Sequence, residues 1–347
     1  MKLSFALLSL TVLCLLHMPT HAQVSGGRLD AGFREGTIDS MINLLKERYA
    51  YPEIAEKMKA ELRTRQTRGE YDAITDGAEF AKKLTEHLRG VFDDKHLVVA
   101  YSATPIPERS AAAGAPTAEE IARERERRRR QNFGVSRLEI LGGNIGLMQV
   151  NYFPPLDWVR DVYTSAFGYL ANTDALIIDA RSNGGSMDID TMPFFCGYLF
   201  ERPVEFGDVF VRERNEKRKL LTFAEVPGKR YLDKPVYVLT GPRTASGAEA
   251  FVGAMRRHKR AMLIGETTMG ATMPGGTNRV NAHFTIWIST GRSSAAAAAE
   301  ENKGTRPDLA VPVADALKEA HRQALDHLAR FADAPRKEEL MKIRSEL

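Results

Sequence analysis

Apolar positions along this chain change their period more than once, and each change predicts a different kind of structure. From Thr37 to about Gly90 they recur at helical spacing. Ile38, Met41, Leu44 and Leu45 share one face, and Tyr51-Pro52 breaks the run. A second helix is predicted from Pro52 to Gly69 and a third from Asp76 to Arg89, with Phe80, Leu84 and Leu88 aligned. Leu97-Val98-Val99-Ala100-Tyr101 then reads as a strand. Residues 104–132 lose the pattern: they are Pro/Ala-rich, then strongly charged, with Ile121 almost alone as an apolar residue. Arg123 to Arg130 is expected to be a solvated or mobile linker helix, with an anionic partner such as a membrane surface as the alternative. From Val135 short apolar runs alternate with helical spacing. Strands are predicted at 136–141, 145–150, 175–180, 236–240, 261–265 and 283–289, and helices at 156–171, 188–200, 247–258 and 313–332. That alternation argues for a sheet flanked by helices. The chain shows no internal repeat, and beyond Ala334 it reads as a charged, fraying tail.

The first residues change the picture of where the chain works. Lys2 precedes an apolar run from Leu3 to Leu16, and Thr20-His21-Ala22-Gln23 ends the segment with alanine where a signal peptidase would cut. The run is too short to span a bilayer, which takes roughly 20 residues. A cleaved secretory signal over 1–22 is expected, and with it a secreted or periplasmic protein. Cys14 follows Leu13, so a lipoprotein anchor is not expected, and no later segment is apolar enough for stable membrane insertion. The formal charge of +4, or +3 without Lys2, is too small a bias to imply a nucleic-acid partner. After cleavage Cys196 stands alone, which excludes an internal disulfide and a thiol-built zinc cluster.

Four stretches carry candidate chemistry, and each has an ordinary structural explanation when taken singly. Ser246 lies where a strand hands over to a helix, with Glu249 three residues on in a capping-box pattern. The flanks are not the Gly-x-Ser-x-Gly elbow of an α/β-hydrolase, since Thr244 and Ala248 hold the glycine positions. A strand-to-helix turn of small residues can nevertheless expose a hydroxyl beside the positive end of a helix. Asn183-Gly184-Gly185 follows a second strand and lets backbone approach a ligand. His96 opens a third strand just after Asp93-Asp94, where an imidazole can act as a base near neutral pH. His87, His258 and His283 read as structural or solvent-facing, and Glu301 lies in a loop bounded by Gly304 and Pro307.

Together the stretches resemble the tail-specific (C-terminal processing) peptidases, in the tricorn-like branch that includes the interphotoreceptor retinoid-binding protein modules. The strings that carry the resemblance are DDKHLVV, LIIDARSNGGS, YVLTGPRTASGAEAFVGAMRRHKRAMLIGETTMGA and ENKGTRPDLAVPV. The resemblance implies a crotonase/ClpP-like α/β sheet-and-helix domain at 134–332. A three-helix bundle at 30–101 would precede it, joined by a charged linker at 102–133, and a charged tail at 333–347 would follow. It implies Ser246 as nucleophile, His96 as base and Glu301 as the group that orients the imidazole. Gly184 or Gly185, with the N–H of Gly247, would form the oxyanion hole. The serine–lysine dyad of better-known members is excluded, because the lysine's position is Ala271. Lys95 stands where the tricorn site has a second serine, and the Ala295 to Ala299 run replaces more polar residues before Glu301. The 104–132 segment is too short for an inserted PDZ module. The implied reaction is peptide-bond hydrolysis through an acyl-enzyme on a peptide or protein substrate, without metal or organic cofactor. The alternatives are a non-catalytic module for retinoid- or fatty-acid-like ligands, and an acyl-thioester enzyme, which a secreted location disfavours.

Overall fold

The computed structural model describes residues 28–108, 117–293 and 301–347. The expected signal segment and the Ala295 to Ala299 run lie outside the described residues.

The main sheet has six strands in the order β12-β8-β7-β4-β3-β2. They are β2 (Val135–Leu141), β3 (Ile145–Val150), β4 (Ala175–Asp179), β7 (Val236–Thr240), β8 (Met262–Gly265) and β12 (Leu309–Ala310). All are parallel except β2, which pairs antiparallel with β3. Every residue of β4 and β7 is buried because helices cover both faces, so these strands read as unbroken apolar runs. Leu176 and Ile178 face one layer and share its core with Tyr163 and Phe167 of α5 (Leu156–Leu170) and Phe251 and Val252 of α7 (Gly247–Arg257). Ala175 and Ile177 face the other layer, against Ala320 and Ala324 of α8 (Ala316–Ala329). A short helix, α6 (Thr191–Gly197), completes the first layer.

The N-terminal helices form as their apolar spacing predicts: α1 (Ala31–Arg48), α2 (Pro52–Thr67) and α3 (Gly77–Val91). Asp30 and Asp76 cap α1 and α3 by accepting from Phe33 N and Glu79 N, and Pro at the start of α2 sets its first turn. Their core is not closed by helices alone. Phe284, Ile286 and Ile288 of β10 (Phe284–Ser289) pack into it, and β1 (Val98–Tyr101) pairs with β10 in a sheet of order β1-β10-β9, where β9 is Gly275–Arg279. The helical segment and the later half of the chain thus share one core, and His96 is carried to the later half by the strand that begins two residues on.

A third sheet, of order β11-β5-β6, was not legible beforehand. Its strands are β5 (Glu205–Val211), β6 (Glu216–Leu221) and β11 (Gly291–Ser293). One expectation is corrected, that of a fraying tail. The charged linker contains a solvated helix, as its sequence suggests, α4 (Ala118–Arg129), with a Thr117/Glu120 capping box. Pairs at three- and four-residue spacing, Glu124 with Arg127 and Arg128 and Glu126 with Arg129 and Arg130, let it form without burying any residue. The tail, by contrast with that expectation, is also a helix, α9 (Ala334–Ser345), capped by Asp333. Arg336 reaches Gly143 O and Asp174, and Leu340 is 1% exposed against Leu325. One buried leucine and a half-buried isoleucine, Ile343, on a largely charged helix were too sparse a pattern to read. Leu340→Ala should lower the unfolding free energy by about 3 kcal/mol, within the range for large-to-small core changes, as measured by denaturant titration.

Candidate active site

The site lies at the carboxyl ends of β3, β4 and β7, where parallel sheets place their ligands. Ser246 occupies a strained turn at the start of α7, with φ 55° and ψ −124°. That region is costly for a residue with a side chain, by about 1–3 kcal/mol, and persists only where the surroundings hold it. Two backbone bonds do so: Ser246 N–H donates to Ala271 O at 2.8 Å, and Ala245 N–H to Asn183 O at 3.0 Å. The hydroxyl makes no capping bond to α7. Capping, the alternative explanation of this serine, is therefore not what it does here.

Gly185 shows why the double glycine stands opposite. Its φ is +119°, and a Cβ there would lie 2.7 Å from Ser246 Cβ and 3.2 Å from Gly247 N. Only glycine permits that approach. The expectation that these glycines leave their N–H groups free is corrected by the geometry. Gly184 N–H donates to Asn151 O at 3.1 Å and Gly185 N–H to Asn183 Oδ1 at 3.0 Å. The cause is the bridge between Phe153 and Ser186, which pins this loop to the end of β3. Gly247 N–H, at the N-terminus of α7, has no acceptor among the described residues, and neither has the neighbouring Ser186 N–H.

His96 sits in the turn before β1. Its ring stacks on Trp287 of β10, with centroids 4.3 Å apart and 16° between planes. Its backbone N–H donates to Asp94 Oδ1 at 3.0 Å, while Asp94 Oδ2 accepts from Tyr49 and Ser289. Arg89 holds the carbonyls of Lys95 and Leu97. Burial pushes the imidazole pKa below its ordinary 6.5, partly opposed by the Asp94 charge, and Arg89 adds to the lowering. The shift favours the neutral imidazole. Lys95 points away from the cavity and donates to Met269 O at 2.7 Å and Asn302 O at 3.1 Å.

Ser246 and His96 line one cavity of about 330 Å³, together with Gly184, Gly247, Thr272 and Gly275. Ile189, Met192, Phe206 and Leu220 add apolar side chains to its lining. Glu301 is tied to its rim: Oε2 accepts from Thr272 N at 2.7 Å and from Thr272 Oγ1 at 2.5 Å. Burial raises its pKa, and the Thr272 bonds oppose the rise. Among the described residues no hydrogen bond joins Ser246 to His96 or His96 to Glu301. His96 Nδ1 and Glu301 Oε1 are each buried without a partner. No group of three or more His, Cys, Asp or Glu side chains among the described residues is placed to hold a metal ion.

The residue that sequence reasoning undervalued is Glu249. Its buried carboxylate accepts from Thr268 Oγ1 at 2.6 Å, Gly270 N at 2.7 Å and Ala271 N at 2.7 Å. Burial raises its pKa and these donors pull it back. The capping-box spacing was the only signal for it; Trp287 and Thr272 gave none. Glu249→Gln leaves one oxygen to serve donors that now use two, so the Ala271 amide should exchange with solvent at least about tenfold faster, as read by hydrogen-exchange mass spectrometry.

Comparison with known proteins supports the same reading. Residues 144–311 match the model of peptidase family S41, and residues 33–138 match the N-terminal domain of that family in eukaryotic IRBP. Among solved structures, mature CPAF complexed with lactacystin is 13% identical with a TM-score of 0.53, over 85% of this chain and 97% of that one. A candidate peptidase from Parabacteroides merdae ATCC 43184 is 16% identical with a TM-score of 0.52, over 80% of this chain and 90% of that one. The tricorn protease is 12% identical with a TM-score of 0.50, over 83% of this chain and 35% of that one. At these identities the structures share the fold, and the family follows from the two models. The chain belongs to peptidase family S41 and is a serine-type peptidase.

Proposed function

We propose that the protein is a secreted or periplasmic endopeptidase or processing peptidase that hydrolyses polypeptides through an acyl-enzyme on Ser246. The observation that carries this reading is the positive-φ turn that holds Ser246 at a cavity shared with a neutral His96. His96 takes the hydroxyl proton as Ser246 attacks the peptide carbonyl, and later returns it to the leaving amine. Glu301 steadies the imidazolium. The two orphaned atoms, His96 Nδ1 and Glu301 Oε1, are complementary as donor and acceptor, and a hydrogen bond between them would orient the ring. The oxyanion receives the Gly247 N–H and a second donor from the 184–186 backbone, once Gly184 or Gly185 gives up its internal acceptor or Ser186 turns in. The secreted location rests on the N-terminal residues alone.

Covalent labelling of the mature protein with a fluorophosphonate tests this. Labelling should be abolished in Ser246→Ala and fall at least about 100-fold in His96→Ala. An unlabelled but folded wild type would contradict the nucleophile and favour the ligand-binding module. The pH dependence has a fixed sign. His96 acts only when neutral and its pKa is depressed, so the labelling rate should be flat through neutral pH and fall on acidification, with a midpoint below 6.5. A midpoint above that value would exclude His96 as the base.

A further inference from the structure

Among the described residues β9 is an edge strand and pairs only with β10. Val280 N–H donates to Phe284 O at 2.8 Å and Thr290 N–H to Pro274 O at 3.0 Å, so the even-numbered residues from 274 to 280 face β10. The odd-numbered residues of β10 face β1 instead, as Ser102 N–H on His283 O shows. The N–H and C=O groups of Gly275, Thr277 and Arg279 therefore point out of the sheet. None of them has a partner among the described residues. Gly275 and Thr277 are exposed, and Gly275 also lines the cavity that holds Ser246 and His96. A row of unused backbone groups thus leads into the candidate active site.

Proteins ordinarily guard such an edge with charge, proline or a bulge. β6, an edge of the third sheet, carries Lys217, Arg218 and Lys219 in succession. β9 reads Gly275-Gly276-Thr277-Asn278-Arg279, and its one cationic side chain turns aside to Ile106 O at 3.1 Å. Gly275 is also fixed by the site. A Cβ there would lie 2.1 Å from Ile288 O and 2.5 Å from the Trp287 ring, the same ring on which His96 stacks.

We propose that the outer edge of β9 seats the substrate's backbone. An extended polypeptide adds as a further strand, exchanges main-chain hydrogen bonds with Thr277 and Gly275, and runs from there to Ser246. This rests on the peptidase reading and adds a substrate class to it: unfolded or locally unfolded chains, recognised through their backbone with little demand on sequence.

The test uses Thr277→Pro, which removes the outward N–H without taking a bond from the β9–β10 ladder, and Thr277→Val, which keeps it. The probe is reduced, carboxymethylated α-lactalbumin, a permanently unfolded chain. Its binding is measured in a Ser246→Ala background, its cleavage with Ser246 intact, and fluorophosphonate labelling in parallel. Thr277→Pro should weaken binding and lower kcat/KM at least about tenfold, with labelling unchanged and Thr277→Val within about twofold of wild type. Binding by Thr277→Pro within twofold of its parent overturns the proposal, as does an equal loss in Thr277→Val or a loss of labelling in step with cleavage. A wild type that does not label overturns the nucleophile reading separately, and the Ser246→Ala binding series still reports on the edge.

Discussion

A carboxylate three residues after Ser246 holds this site together. The 268–272 loop has no secondary structure of its own, and its buried N–H groups need acceptors. Glu249 supplies them for Gly270 and Ala271 and takes the Thr268 hydroxyl as well. Everything else hangs on the loop so fixed. Ala271 O accepts from Ser246 N, Thr272 holds Glu301, Gly270 O accepts from Asn302 N, and Met269 O receives Lys95. Ser246, His96 and Glu301 come from distant parts of the chain and make no direct bonds with one another. Their relative placement is set by one buried acid and the loop it holds.

The same arrangement explains how the strain at Ser246 is sustained. A positive φ at a serine is unfavourable by itself. Here it is held from both sides, by Ala271 O through the residue's own N–H and by Asn183 O through that of Ala245. Thr244 adds a third tie, since its hydroxyl donates to Ala180 O and accepts from Gly241 N–H. The turn is therefore anchored to the ends of both β4 and β7. A side chain in place of Gly185 would break this arrangement by steric overlap rather than by lost bonding.

Much of this was legible because burial on two faces leaves a strong mark. β4 and β7 are apolar up to their last residues, and α3 and α7 show their apolar stripes plainly. β5, β6 and β9 left no such mark. β6 is largely charged and solvent-facing, and β9 opens with two glycines, so neither looks like a strand until its partner is known. Ser246, His96 and Glu301 were found through family strings, not through periodicity. Trp287 was hidden because its value lies in stacking on a residue almost two hundred positions away. The engagement of Gly184 and Gly185 was equally hidden, since a double glycine signals close approach but not which way its N–H groups point.

Burial shapes the proposed reaction in a consistent direction. It lowers the pKa of His96 and raises that of Glu301, so each shift favours the uncharged form of its group. In the resting site charge is thus disfavoured on both. In the proposed reaction the imidazole would become a cation as Ser246 attacks, and the groups around it are placed to answer that charge. The Trp287 face lies against the ring, Asp94 is two residues away, and the free Glu301 oxygen points to no other partner. Interactions that strengthen only as charge develops lower the barrier without tightening the ground state. A cavity that keeps its base neutral and surrounds it with latent stabilisers of the cation therefore favours the transition state over the resting one.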